Sequence, residues 1–253
     1  MLLTPFNKSV EYELVFRVDG PISYFTTDRL GNVYVVNDKQ ITKYKSYGRK
    51  MSTYNKNIYG PITFVDASNP YRILVFYSDF IRLSVLDNML SEKSEPFDLN
   101  TYGFDQVTLV AKSYNNGIWL FDPVSQQLVR MDEQLKETLS TTRVNQFLET
   151  TIDPHFMMEA NGKLYMSDDH YGILVFDIYG NYIKTIPIKG ISEFQIADSK
   201  IIYYADSALH SYDQKTLEFT TTVSKLDTVQ KARVEQHLLY LQTATHLDIL
   251  RIK

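Results

Sequence analysis

The 253-residue chain contains no cysteine. That excludes a disulfide framework, a zinc site built on thiolates and a cysteine nucleophile. Only ten glycines occur, and no glycine-rich phosphate loop, G-x-S-x-G or H-E-x-x-H motif is present. No apolar run reaches the roughly 18 residues of a membrane helix. The opening residues, Met1-Leu2-Leu3-Thr4-Pro5-Phe6, lack the basic and long apolar regions of a signal peptide. There is no basic surplus either: 26 Lys and Arg face 30 Asp and Glu, a formal charge of -4. Nucleic acid is therefore not an expected partner. The densest basic stretch, Lys43 to Lys50, alternates with tyrosines and reads as the outer face of a strand.

What is present is a 44% hydrophobic chain with 19 tyrosines and 14 phenylalanines. Such a composition buries a proper core, and it excludes disorder, collagen and coiled coil. The lack of thiols suits an oxidising compartment. Two locations fit the sequence: the cytoplasm, or the periplasm or outer membrane of a bacterium, with an export signal removed and replaced by Met1.

The chain repeats. Runs of β-branched and aromatic residues begin at Val33, Ile73, Ile118, Leu164, Ile202 and Leu239, spaced 40, 45, 46, 38 and 37 residues apart. Such residues fit a pleated, buried surface, and the runs are too short for helices. A bulky residue and a turn follow each of the first five runs, at Tyr44, Leu86, Met131, Phe176 and Tyr212. In four of these five Asp comes next: Asp87, Asp132, Asp177 and Asp213. Aspartate there accepts backbone amides two residues on and closes a turn. Gly48 and Gly180 supply the positive φ that such turns need.

Four strands in about 40 residues make one blade of a β-propeller. The expectation is an all-β six-bladed propeller, one domain over 1–253. Its blades fall at about 21–56, 61–99, 105–147, 153–190, 191–226 and 229–253. The last has room for three strands. The alternating segment 11–18 precedes blade one without a blade of its own, so it is expected to complete blade six and close the ring, protecting edges that would otherwise pair with other chains. Residues 133–151 read as an outer strand and a long loop, with a short amphipathic helix as the alternative.

The segment Thr27-Asp28-Arg29-Leu30-Gly31-Asn32-Val33-Tyr34-Val35-Val36-Asn37-Asp38, with Gln40 through Gly48, resembles an NHL-type propeller repeat. Asn161 through Gly180 resembles it too. Blade two, around Asn69-Pro70-Tyr71-Arg72-Ile73, is similar to a group of uncharacterised exported bacterial propellers. The resemblance implies the fold and an extracytoplasmic location, with no particular activity. Propellers of this class serve as ligand platforms, as scaffolds in membrane-associated complexes and less often as lactonases or hydrolases.

The loops between the second and third strands open on one face. They carry Asp38, Asp79, Asp122, Asp168 with Asp169, and Asp206, a possible acidic mouth able to hold a hard cation. The plainer reading is that each Asp caps its own turn. Asp168-Asp169-His170-Tyr171 is the densest polar cluster. Gluconolactonase-like propellers bring a Glu, an Asn and an Asp together on a cation. Glu159, Asn161 and Asp206 are of those types but sit in no matching motif, so no catalytic residue is assigned and no cofactor is expected. Tyr44, Tyr47, Tyr54, Tyr59, Tyr71, Tyr77 and Tyr102 crowd the first two blades. Tyr77, Asp79 and Phe80 are the expected partner contacts, since tyrosine favours interfaces.

Two functions follow. The first is a non-catalytic scaffold binding other proteins, as a subunit of a bacterial envelope complex. The second is a cation-dependent lactonase or hydrolase at the acidic mouth. A platform for a glycan or peptide in the channel is a third reading.

Overall fold

The computed structural model describes residues 12–141, 143–148, 150–224 and 226–253. It contains six antiparallel four-stranded sheets. Five are consecutive in sequence, running from Tyr24 to Asn55, Phe64 to Asp98, Leu109 to Ser140, Phe156 to Ile186 and Phe194 to Val223. The sixth combines Lys231–Glu235, Leu238–Gln242 and His246–Ile252 with the N-terminal strand Tyr12–Asp19. The chain is thus a six-bladed propeller whose ring is closed by its first strand. Glu11, the first residue of the expected closing strand, lies outside the described residues.

The strongest sequence signal has a physical origin in the seams. The second strand of blades one to four is buried on both faces, that of blade five is mostly half-buried, and the two sets of alternating side chains on such a strand go to different neighbours. In blade two Ile73, Val75 and Tyr77 pack against blade one, with Tyr34, Val36 and Ile41. Leu74 and Phe76 pack the other way, against Ile118, Leu120 and Val129 of blade three. In blade three Trp119 and Phe121 face Leu164 and Met166 of blade four. A strand covered twice reads as a continuous apolar run rather than an alternating one. Six such clusters correspond to six seams.

The turns between third and fourth strands follow the aspartate rule. Asp87 Oδ1 accepts the amides of Met89 and Ser91 at 2.8 and 2.9 Å. Asp132 does the same for Gln134 and Lys136, and Asp177 for Tyr179 and Asn181. Asp213 receives Lys215 at 2.8 Å. Three residues after the turn's first position the backbone is left-handed, at Gly48, Leu90, Leu135 and Gly180. Leucine is uncommon there. Leu90 and Leu135 are nevertheless buried in seams, where the apolar burial offsets the conformational cost.

The closing strand pairs from Tyr12↔Ile252 to Asp19↔His246, with a register shift between Leu14 and Phe16. Arg17 grips Asp248 through two bonds of 2.6 and 2.8 Å. Phe16 and Val18 pack into the seam with blade one. A Cβ on Gly48 would stand 2.9 Å from the Phe16 ring, so this glycine is needed both for its φ of 90° and for the approach of the closing strand.

Two expectations change. Lys43 does not lie on an outer face. It is buried, its Nζ donates to the Asn88 carbonyl at 2.7 Å and it sits 5.2 Å from the centre of the Tyr34 ring. Burial lowers its pKa. Residues 133–151 hold both features rather than one: an outer strand Glu137–Ser140 and a five-residue helix Val144–Leu148. The buried Val144 anchors that helix in the seam between blades three and four.

Replacing Asp132 with alanine should lower the unfolding free energy by about 1–2 kcal/mol, the worth of two backbone bonds to a charged acceptor. Urea unfolding measures this, and an unchanged midpoint would mean that the carboxylate does not hold the turn.

Candidate binding surfaces

Residues of the first strands of blades one, two, four, five and six line one small cavity, which places those strands around the propeller axis. In blades one, two, four and five the leading position is aromatic. Phe64 meets Tyr24 at 6.4 Å and Phe156 at 6.0 Å between ring centres, and Phe156 meets Phe194 at 5.0 Å. Blades two and four are not neighbours, so the contact between Phe64 and Phe156 crosses the axis. Edge-to-face packing of this kind is favourable beyond its area. The remaining cavity is about 50 Å³, room for a few waters.

The carboxylates around this cavity have structural partners, whereas Thr27 Oγ1 and Arg233 Nε, on residues that also line it, are buried with none. Asp66 accepts the amides of Ser68 and Lys112, each at 2.9 Å. Glu159 accepts Ser113 Oγ and Trp119 Nε1, each at 2.7 Å. Beside the aromatic belt Glu193 pairs with Lys231 at 2.8 Å and with Arg233 at 3.5 Å. Lys231 also donates to the Phe25 carbonyl at 2.7 Å and lies 3.8 Å from the centre of the Tyr24 ring. Burial outweighs the attraction of Glu193 and lowers the Lys231 pKa to about 8. The Tyr24 hydroxyl is pushed up by burial.

Antiparallel strands place the loops between second and third strands at one end, here called the upper end. Asp38, Asp79, Asp122, Asp168, Asp169 and Asp206 all lie in or beside those loops. Their surroundings differ. Asp168 is buried and accepts the amides of Asp153, His170 and Tyr171. Asp122 accepts Val124 and Ser125 of its own turn. Asp38 and Asp206 are exposed in left-handed backbone, and Asp169 is exposed 3.7 Å from His155 Nε2. Among the described residues, no three His, Asp or Glu side chains come together to hold a metal. Asn161 and Asp206 lie at opposite ends of their blades, in turns after a first and a second strand, so Glu159, Asn161 and Asp206 do not converge.

The three expected partner contacts separate. Tyr77 is a core residue: it is fully buried, its hydroxyl bonds Tyr54 and its ring meets Tyr59 edge-on at 5.5 Å. Asp79 and Phe80 are exposed. Phe80, 49% exposed, belongs to a row of apolar side chains on consecutive upper loops. Ile58 at 68%, Tyr102 at 44% and Val124 at 74% are the others. The short helical turn Asn57–Tyr59 abuts Phe80, because a Cβ on the following Gly60 would be 3.5 Å from that ring. The turn Leu99–Tyr102 is tied to the same loop by the amide of Leu99, which donates to the Ile81 carbonyl at 3.0 Å. Val124 sits on the corresponding loop of blade three. Among the described residues the upper loops of blades four to six expose no large apolar side chain.

Sequence reading missed Ile58, Tyr102 as an upper-loop residue, and Val124. The spacing of Ile58 and Val124 just outside the strand runs was the available signal. Of the crowded tyrosines, Tyr54 and Tyr77 are buried, Tyr44 and Tyr59 are half-buried, and Tyr47, Tyr71 and Tyr102 are exposed. Tyr47 and Tyr71 lie at the lower end, on turns after a third and a first strand.

Solved propellers share this architecture. A virginiamycin B lyase from Staphylococcus aureus superposes with a TM-score of 0.62 at 9% identity, over 96% of this chain and 100% of its own. A chain of the mitotic checkpoint complex gives 0.71 at 9% identity, over 99% and 95%. The WD40 domain of Neurospora crassa Pan2 gives 0.60 at 9% identity, over 92% and 82%. No protein-family model and no curated protein sequence matches the chain. At these identities the likeness establishes the fold: a six-bladed propeller similar to lyases and WD40 scaffolds alike. No helix among the described residues is long and apolar enough to cross a membrane.

The lowered pKa of Lys231 sets a pH dependence. Between about 8 and the ordinary lysine value the unfolded chain binds more protons than the folded one. This group's contribution therefore makes stability rise with pH across that window. Thermal melts from pH 8 to 10 should show the rise relative to Lys231→Met, in which Glu193 keeps Arg233. Parallel pH curves for the two proteins would contradict it.

Proposed function

We propose that this propeller is a non-catalytic binding module that docks another protein on the upper loops of blades one to three. The observation that carries the reading is the row Ile58, Phe80, Tyr102 and Val124, exposed on successive upper loops of blades one to three, while the upper loops of the other blades expose no large apolar side chain among the described residues. Exposed apolar clusters with a polar rim mark interaction sites. Asp38 and Asp79 are exposed on the same end, and Asp122 is half-exposed beside Val124. The fitting partner therefore offers apolar side chains flanked by basic ones, and charge complementarity would speed its association at low salt.

A scaffold role in a bacterial envelope complex accords with the NHL-type resemblance of blades one and four and with the likeness of blade two to exported bacterial propellers. A small-ligand or hydrolase reading has less support. The aromatic belt leaves about 50 Å³ at the axis, and the carboxylates of Asp66, Glu159 and Asp168 serve neighbouring backbone and side-chain donors.

The test is affinity purification from gently solubilised native cells with wild type and an Ile58→Asp, Phe80→Asp double variant. The wild type should retain a stoichiometric partner, and the variant should lose at least about tenfold of it, as expected for centrally placed apolar contacts. The melting temperature should move by no more than a few degrees, because both residues are exposed. Equal recovery by the two proteins would refute the surface. Tyr77→Ala, by contrast, should cost about 3–5 kcal/mol through core loss, visible as a large drop in melting temperature.

A further inference from the structure

Arg72 stands immediately before the second strand of blade two, and it is 95% removed from solvent, with 5% exposure. Arginine is seldom buried unless it is paired. Yet Arg72 Nη1 is enclosed with no hydrogen-bond partner. Two carboxylates influence the guanidinium at a distance, Glu133 and Asp66. Both are engaged elsewhere. Asp66 receives the amides of Ser68 and Lys112, and Glu133 accepts Asn116 Nδ2 at 3.4 Å. A buried cation without a hydrogen-bonded counter-anion is an incomplete arrangement.

The same guanidinium forms part of the wall of a cavity of about 190 Å³ on the flank between blades two and three. Its other walls are Val85, Lys93, Ser94, Phe97 and Glu133. Arg72 and Lys93 bring two positive charges and Glu133 one negative, a net charge suited to a monoanion. Ser94 adds a hydroxyl donor. Val85 and Phe97 offer an apolar wall, which a hydrated inorganic ion would not use. A dianionic phosphate would meet the repulsion of Glu133.

We propose that this flank cavity is a binding site for an organic carboxylate with a short hydrocarbon body, its carboxylate held by Arg72 with Lys93 and Ser94. Arginine is the side chain suited to such a planar acceptor, through parallel N–H donors. The carboxylate can belong to a free acid or to the end of a peptide chain. The site involves none of the residues of the apolar row on the upper loops, so the two stand or fall separately.

Thermal shift and saturation-transfer NMR at constant ionic strength test this with 3-methylbutanoate, inorganic phosphate and chloride. A free-acid tripeptide ending in leucine and its amidated form distinguish the two sources. The expected result is a saturable stabilisation by 3-methylbutanoate that exceeds any effect of chloride or phosphate. The Arg72→Gln variant should lose the shift. Lys93→Gln, on an exposed loop, should weaken it at least threefold and guards against misfolding of the first variant. Stronger stabilisation by the free-acid peptide than by its amide would keep the site and assign it to chain ends. No shift with any carboxylate, an equal shift in both variants, or a larger shift with phosphate would overturn the proposal.

Discussion

Every blade of this protein depends on a strand that must be covered twice. Val33 and Val35 pack toward blade six while Tyr34 and Val36 pack toward blade two. The same division recurs around the ring. A sheet with two apolar faces has no solvent side, so a blade at the end of an open row would expose one of them. Closure removes the problem. The strand Tyr12–Asp19 supplies the fourth position of blade six and brings Phe16 and Val18 into the seam with blade one. It also covers the edge of His246–Ile252, which would otherwise offer unpaired amides and carbonyls to other chains. The bidentate pair of Arg17 and Asp248 fixes the register immediately after the bulge.

The same constraint decides what the centre can do. Six first strands approach one axis, and their leading side chains are large. Phe64, Phe156 and Phe194 meet edge-on there and narrow the space at the axis to about 50 Å³. Lys231 extends the belt by lying on the Tyr24 ring while Glu193 and the Phe25 carbonyl satisfy its ammonium. A buried cation held in this way is a structural element, since removing its partner would strand a charge in a low dielectric.

The fold was legible because the rules that make it are local and repeated. The second strands announced themselves as continuous apolar runs, and the turn aspartates as a residue type at a fixed place, with Asp87, Asp132, Asp177 and Asp213 all bonding amides two residues on. The ends of side chains were less legible. Tyr77 and Phe80 are three residues apart, and nothing in their spacing says that one faces the seam with blade one and the other faces solvent. That outcome depends on Tyr77 falling inside the strand Ile73–Tyr77, and on the following turn swinging Phe80 outward. Lys43 was misplaced for a related reason. Its neighbour across the seam, the Asn88 carbonyl, belongs to another blade, 45 residues away, and a basic residue in a strand gives no hint of such a partner. Arg72 was invisible as a site because its surroundings are assembled from blades two and three together.

These differences follow from a division of labour that the ring imposes. Second-strand residues are committed to two seams, so a substitution that served recognition there would be felt by both neighbouring blades. Loops carry no such commitment. The upper loops of blades one to three spend that freedom on Ile58, Phe80, Tyr102 and Val124, while the described upper loops of blades four to six present Asp169, Asp206 and Thr245. A six-fold scaffold alone cannot orient a partner, since each blade offers the same frame. An apolar arc over one half of the ring and a polar one over the other breaks that equivalence. Desolvation is favourable over the first half and costly over the second, so a protein docked on this end, as proposed, would have one preferred orientation.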